Sequence, residues 1–205
     1  MLSSLCKRWF AFVALTGAVF SFAVARAAED TIAAIWRIER IDFVYHSNTV
    51  RYSCGNLQRR IAAILLAVGA HSTIGVDVGC RSGDLVRYAN VRLTLAVPVE
   101  ATEENVRAAT DFDTRDELVA RLRQTQLPSA NDIARFPASW RTVALTRTPP
   151  LSLGPGDCDL LRAMRDEVFP RLRVRVVSSG LHCGGGANTR IKPQIQVNAL
   201  MPSRT

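Results

Sequence analysis

Apolar and polar residues alternate along Ile41-Asp42-Phe43-Val44-Tyr45-His46, the spacing of a half-buried strand. The period then changes. From Cys54 onward Leu57, Ile61, Ile64, Leu65 and Val68 recur at helical spacing, with Ser53 placed to cap the start and Gly69 to end the run. Ile74, Val76 and Val78 return to period two as a second strand ending at Cys80. Arg81-Ser82-Gly83-Asp84 turns the chain, and Val91, Leu93, Leu95 and Val97 form a third strand before Pro98.

The second half follows the same plan. Val143 and Leu145 belong to a strand, Asp157 stands where Ser53 stood, and a helix from Cys158 stops near Pro170. Arg171-Leu-Arg-Val-Arg-Val alternates as a strand before a turn at Ser178-Ser179-Gly180, and Ile195, Val197 and Ala199 form the last strand. One offset relates Ser53 to Asp157, Cys54 to Cys158, Leu57 to Leu161 and Pro98 to Pro202, and Cys80 and Cys183 miss it by a single residue. Self-similarity of this kind predicts one supersecondary unit used twice. The expected fold is therefore α+β: two β-α-β-β pseudo-repeats forming a mainly antiparallel sheet with helices on one face. The units span 28–99 and 139–205, and a helical segment at 100–138 bridges them. In that bridge Thr102 precedes one helix, Thr114-Arg115-Asp116-Glu117 resembles a capping box for another, and 131–136 suggests a further turn.

The cysteines follow from the same geometry. A helix from Cys54 to Gly69 advances about 22 Å at about 1.5 Å per residue. The strand from Ser72 to Cys80 returns about 26 Å at about 3.3 Å per residue. Both cysteines then arrive at one end of the unit, which predicts the disulfide Cys54–Cys80; the same construction predicts Cys158–Cys183, provided the chain bends after Val177. Zinc is the rival use of four thiolates, but the close C-x-x-C pairs of such sites are absent.

The first residues change the compartment. A basic start (Lys7, Arg8) precedes an uncharged, mostly apolar run from Trp9 to Ala25 and then Ala25-Arg26-Ala27, the pattern of a cleaved secretory signal over residues 1–27. Export makes disulfides the expected state of the cysteines, and the predicted location is periplasmic or secreted. Cleavage removes three of the basic residues, so the net charge falls from +8 to +5. No later stretch is long and apolar enough to span a bilayer. The 178 residues left of 205 suffice for one well-cored domain or two small lobes sharing a core.

Chemistry is sparse. The chain has no G-x-S-x-G, no H-E-x-x-H, no P-loop and no G-x-G-x-x-G between strand and helix, and nothing calls for a cofactor or a metal. His46, His71 and His182 are scattered, and Asp42 lies too far along its strand from His46 for a direct hydrogen bond. Cys183-Gly184-Gly185-Gly186 could cradle an anion, but it also reads as the tight connection after a disulfide. What remains is the polar face of the sheet, with Asp42, His46, Thr73, Asp77, Arg92, Thr94, Arg173, Arg175, Gln196 and Asn198. His46, Asp77, Arg92, Arg173 and Arg175 are the candidate ligand-binding residues on it, because guanidinium groups suit carboxylate and phosphate.

Three functions fit this sequence. The first is an exported, non-catalytic binding or accessory factor of a bacterial-type cell envelope, whose partner is another envelope or secreted protein. The second is a binder of anionic polymer or lipid headgroups through the arginine-rich face. The third is a hydrolase or transferase whose site is assembled from distant residues. Nucleic acid is disfavoured, because no basic run carries interleaved aromatics.

Overall fold

The structure is a computed structural model that describes residues 30–81, 84–146, 151, 153–181, 183 and 193–203. In chain order the elements are β1 (Ile32–His46), β2 (Tyr52–Ser53), α1 (Cys54–Ala67), β3 (Gly75–Val78), β4 (Leu85–Val86) and β5 (Tyr88–Glu100). There follow α2 (Glu103–Ala109), α3 (Thr114–Arg123), β6 (Phe136–Leu145), α4 (Cys158–Ala163), β7 (Arg175–Gly180) and β8 (Gln194–Pro202). The architecture is α+β, and every strand pair among the described residues is antiparallel. Six strands form one sheet in the order β3-β5-β1-β6-β8-β7, and β2 pairs with β4 apart from it. Read outward from the central β1–β6 pair, each half runs first strand, last strand, middle strand.

Both disulfides form as the spacing predicts. Cys54 and Cys80 are bridged with Cα atoms 6.1 Å apart, and Cys158 and Cys183 with Cα atoms 5.4 Å apart.

The helical stripe of α1 is fully used: Leu57, Ile61, Ile64 and Leu65 are all 0% exposed. Each such side chain contributes about 1.5–3 kcal/mol through removal from water. They belong to one core that also takes Ile41, Phe43 and Tyr45 from β1, Leu93 and Leu95 from β5, and Leu160, Leu161, Phe169, Ile195 and Val197 from the second half. The two halves therefore share a core. A satellite cluster of Ala34, Ala138 and Leu200 lies where they join.

Several expected boundaries move, each for a local reason. β1 begins nine residues before Ile41, because the alternation from Ile35 onward is masked. Arg37 and Glu39 occupy inward positions there as a half-buried ion pair, while Ile38 faces out. β5 does not stop before Pro98 but runs through it, with Pro98 opposite Trp36. β3 reaches only as far as Thr94, so beyond that point β5 has β1 alone as a neighbour and the missing N–H disrupts no second ladder.

The bridge differs in detail. Asp113, not Thr114, caps α3, its carboxylate accepting from Asp116 N at 2.8 Å. Residues 131–136 add no helical turn: Asp132 accepts from Ser129 N at 2.9 Å, and β6 already starts at Phe136. The helices also do not all lie on one face. Arg40 shares the outer face with the exposed Asp42 and His46, and it reaches Asp116 of α3 at 3.9 Å. α3 thus packs against the face opposite the main core.

The largest correction concerns 171–180. The alternation of Arg171–Val176 is not one strand. α4 continues as a π-helical turn at Met164–Val168, and the chain then closes with Arg173 N donating to Pro170 O and Val174 N to Phe169 O. These bonds terminate a helix around a left-handed residue, and Arg173 accordingly has φ 57°. α1 ends the same way at Gly69 (φ 94°), with Ala70 N donating to Leu65 O. β7 starts only at Arg175 and includes Ser178-Ser179-Gly180, expected as a turn. Apolar and basic residues alternate equally well through a helix end and a strand, so the pattern does not separate them.

Candidate functional site

Two elements bring Arg173 and Arg175 together. The helix-terminating turn carries the first, and the opening residue of β7 carries the second. Both line a cleft of about 450 Å³ at the seam between the half-sheets. Its apolar walls come from Val68 at the end of α1, Val97 and Val99 of β5, and Leu200 of β8. Trp140 of β6 and Glu100 of β5 complete it. The indole is fixed from two sides: its Nε1–H donates to Glu100 Oε1 at 3.1 Å, and the Arg175 guanidinium lies 5.7 Å from the ring centroid. A cation over an indole face is attracted by the ring quadrupole. The cleft is therefore lined by two arginines, one carboxylate already engaged by an N–H, and an apolar floor.

The other candidate residues lie elsewhere. Asp42, Arg92 and Asp77 stand directly opposite one another across β1, β5 and β3, and Arg92 Nε reaches Asp42 Oδ1 at 3.1 Å. His46 lies at the end of β1 opposite Tyr88. Arg92 in β5 and Arg175 in β7 are separated in the sheet by β1, β6 and β8, about 19 Å at the usual strand spacing. The exposed pair of Arg92 and Asp42 is in water on both sides, where such pairs contribute little. The structure thus gathers Arg173 and Arg175 and leaves Arg92, Asp77 and His46 in a different half.

Trp140 and Glu100 were not among the residues singled out from sequence. Trp140 sits two residues before Thr142 on the outward face of β6, where a single aromatic carries no functional signal in sequence. Glu100 has none either, since it is recruited only by the meeting of β5 and β6.

A second polar cluster joins the halves deep in the structure. Asp159, 4% exposed, accepts from Ser47 Oγ at 3.0 Å, Asn48 N at 3.1 Å and Thr49 Oγ1 at 2.9 Å. Asp157, 3% exposed, accepts from the Tyr52 hydroxyl and from Gly154 N. Arg60 Nε lies 3.6 Å from the same carboxylate. This explains why the expected Asp157 cap does not form, since its carboxylate is taken by these partners; the Ser53 side chain makes no cap bond to its helix either. Burial foremost pushes the Tyr45 phenol up to about 12, and the Asp159 and Asp157 carboxylates add to it. Tyr52 moves the same way, through burial first and then its bond to Asp157. Asp159 Oδ2 and both Asp157 oxygens accept from groups across or beside the junction, so the cluster is a clamp between halves.

A groove of about 480 Å³ also lies between the outer face of β1 and the bridge, bordered by Trp36, Ile38, Arg40, Phe112, Asp116 and Arg123. Its charges are mixed in sign, with Arg40 and Asp116 already facing each other. Among the described residues, no group of three or more His, Cys, Asp or Glu is placed to hold a metal ion. Residues 1–27, His182 and Gly184-Gly185-Gly186 lie outside the described residues. The chain matches no protein family model, no curated protein and no solved structure.

Proposed function

We propose that this chain is an exported, disulfide-stabilised, non-catalytic binding or accessory factor of a bacterial-type cell envelope. Its partner is another envelope or secreted protein, and its binding site is the seam cleft. Residues 1–27 act as the signal, and the mature chain arises from duplication of a β-α-β-β unit, with 28–99 and 139–205 as the copies and 100–138 as the bridge. Two disulfides support the exported location. Among the described residues no helix is long and apolar enough to cross a membrane.

One observation carries the choice of site. Arg173 holds a left-handed backbone position that favours glycine, at the offset from Gly69 that relates Cys158 to Cys54, and it lines the cleft together with Arg175 and Trp140. A non-glycine residue there costs about 1–2 kcal/mol, a cost that an arginine at a binding site explains. The second reading, an anionic ligand held by arginines, is favoured by the same pair, but at the cleft and not across the whole sheet face.

Affinity capture with the tagged, processed protein from its native envelope tests the proposal. A stoichiometric protein partner lost on Trp140→Ala and Arg175→Ala but kept on Arg92→Ala is the expected result. Loss on Arg92→Ala with retention by the cleft variants would instead place binding on the outer face. The mature N-terminus, read by mass spectrometry, is expected at Ala28.

A further inference from the structure

The chemistry of the cleft narrows what it takes. We infer that it receives the C-terminal residue of a partner polypeptide, with the chain-end carboxylate at Arg173 and Arg175 and an apolar side chain against Trp140 and Leu200. The inference rests on the cleft being the binding site. Arg173 and Arg175 supply planar donor forks matched to a carboxylate. The cleft, about 450 Å³ and open to solvent on one side, is lined by Val68, Val97, Val99 and Leu200 as well as by these arginines. A carboxylate and an apolar side chain borne on one Cα occur at the end of a chain. An internal Asp or Glu carries its carboxylate on the side chain, so the same residue has no apolar side chain to place against Trp140 and Leu200. Glu100 opposes an anion, but its Oε1 is committed to Trp140 Nε1–H at 3.1 Å, and the two guanidinium groups outweigh it. Arg175, its guanidinium 5.7 Å from the indole centroid, is already drawn towards the cleft before a ligand arrives.

The probes are the pentapeptides Gly-Gly-Gly-Gly-Phe and Gly-Gly-Gly-Gly-Leu as free acids, the same peptides as C-terminal amides, Gly-Gly-Gly-Gly-Asp, and sodium octanoate. Binding to the processed, oxidised protein is followed by calorimetry and by Trp140 fluorescence in a Trp36→Phe background. The acids ending in Phe or Leu are expected to bind at least tenfold more tightly than their amides and than the Asp peptide. Arg175→Gln and Arg173→Gln are expected to remove the difference between acid and amide. Arg173→Gly, which suits the left-handed backbone, separates lost binding from lost folding.

Equal binding of acid and amide, abolished by Trp140→Ala, would overturn the carboxylate assignment while leaving the cleft as the binding site. Octanoate binding as tightly as the peptides would overturn the polypeptide assignment. If no probe binds and the captured partner is indifferent to Trp140→Ala, the cleft itself falls.

Discussion

Arg173 and Gly69 each end a helix in a left-handed turn, yet they tolerate different side chains. A Cβ on Gly69 would meet Leu200 O at 2.7 Å and Met201 Sδ at 2.9 Å. Gly69→Ala is therefore expected to lower stability by about 2 kcal/mol or more, from contact and backbone strain together, whereas Arg173→Gly should leave the melting temperature unchanged or raise it. Thermal melts of the two variants check this, and a destabilised Arg173→Gly would remove the argument that the arginine is kept for binding. Asp159 is the other residue on which much depends, because a buried acceptor serves three donors. Asp159→Ala should cost about 2–3 kcal/mol in urea unfolding. Tyr45 sets a pH limit. Its folded phenol is raised from 10.0 to about 12, so the stability that its neutral form contributes is complete below pH 10 and is lost as pH rises towards 12. Urea midpoints should fall between pH 9 and 11.5, and less steeply in Tyr45→Phe; an unaltered slope would assign the loss to another group such as Tyr52.

Elements with one dominant period were legible, and those with two competing signals were not. α1 has an apolar stripe and a terminal glycine, and it forms where the spacing places it. Cys54–Cys80 followed from the near-equal lengths of helix and returning strand, a relation fixed by rise per residue, whereas Cys158–Cys183 was carried over from it by the matching cysteine spacing of the second half. They close separations of 26 and 25 residues, so removal of either by paired Cys→Ser substitution should cost about 3 kcal/mol. Non-reducing peptide mapping should return Cys54–Cys80 and Cys158–Cys183 alone; a cross-half bridge would refute the pairing. The start of β1 was hidden because Arg37 and Glu39 neutralise each other at inward positions, so the polar face and the buried face exchange labels for a few residues. The segment before β7 was misassigned because a helix end and a strand both place Leu172 and Val174 inside and Arg171, Arg173 and Arg175 outside.

At the scale of the whole molecule, the halves are not separate lobes. Their core residues form one cluster, the Asp157–Asp159 clamp crosses between them, and Trp140 of one half donates to Glu100 of the other. The processed protein should therefore unfold in a single transition, with calorimetric and van't Hoff enthalpies equal within error. Two resolved transitions would mean that the shared core contributes less than either half alone. Gly156 belongs to this junction as well, since a Cβ there would meet Val50 Cγ2 at 2.7 Å. Gly156→Ala should therefore weaken the clamp and split the transition before it lowers the stability of either half.

The sequence by itself determined what depends on neighbours along the chain: the mixture of strands and helices, the cysteine pairing and the absence of familiar catalytic motifs. These rest on periodicity, residue rise and local composition, which need no knowledge of packing. The tertiary structure alone decided which polar residues meet. Arg173 and Arg175 were visible as surface arginines, but their union with Trp140 and Glu100 depends on how two half-sheets join along a short β1–β6 pairing. Arg92, Asp77 and His46 looked equivalent to them in sequence and lie in the other half. Alternation along a strand tells which face a side chain takes. Its place on that face is set by strand order and by the seam where the two halves meet.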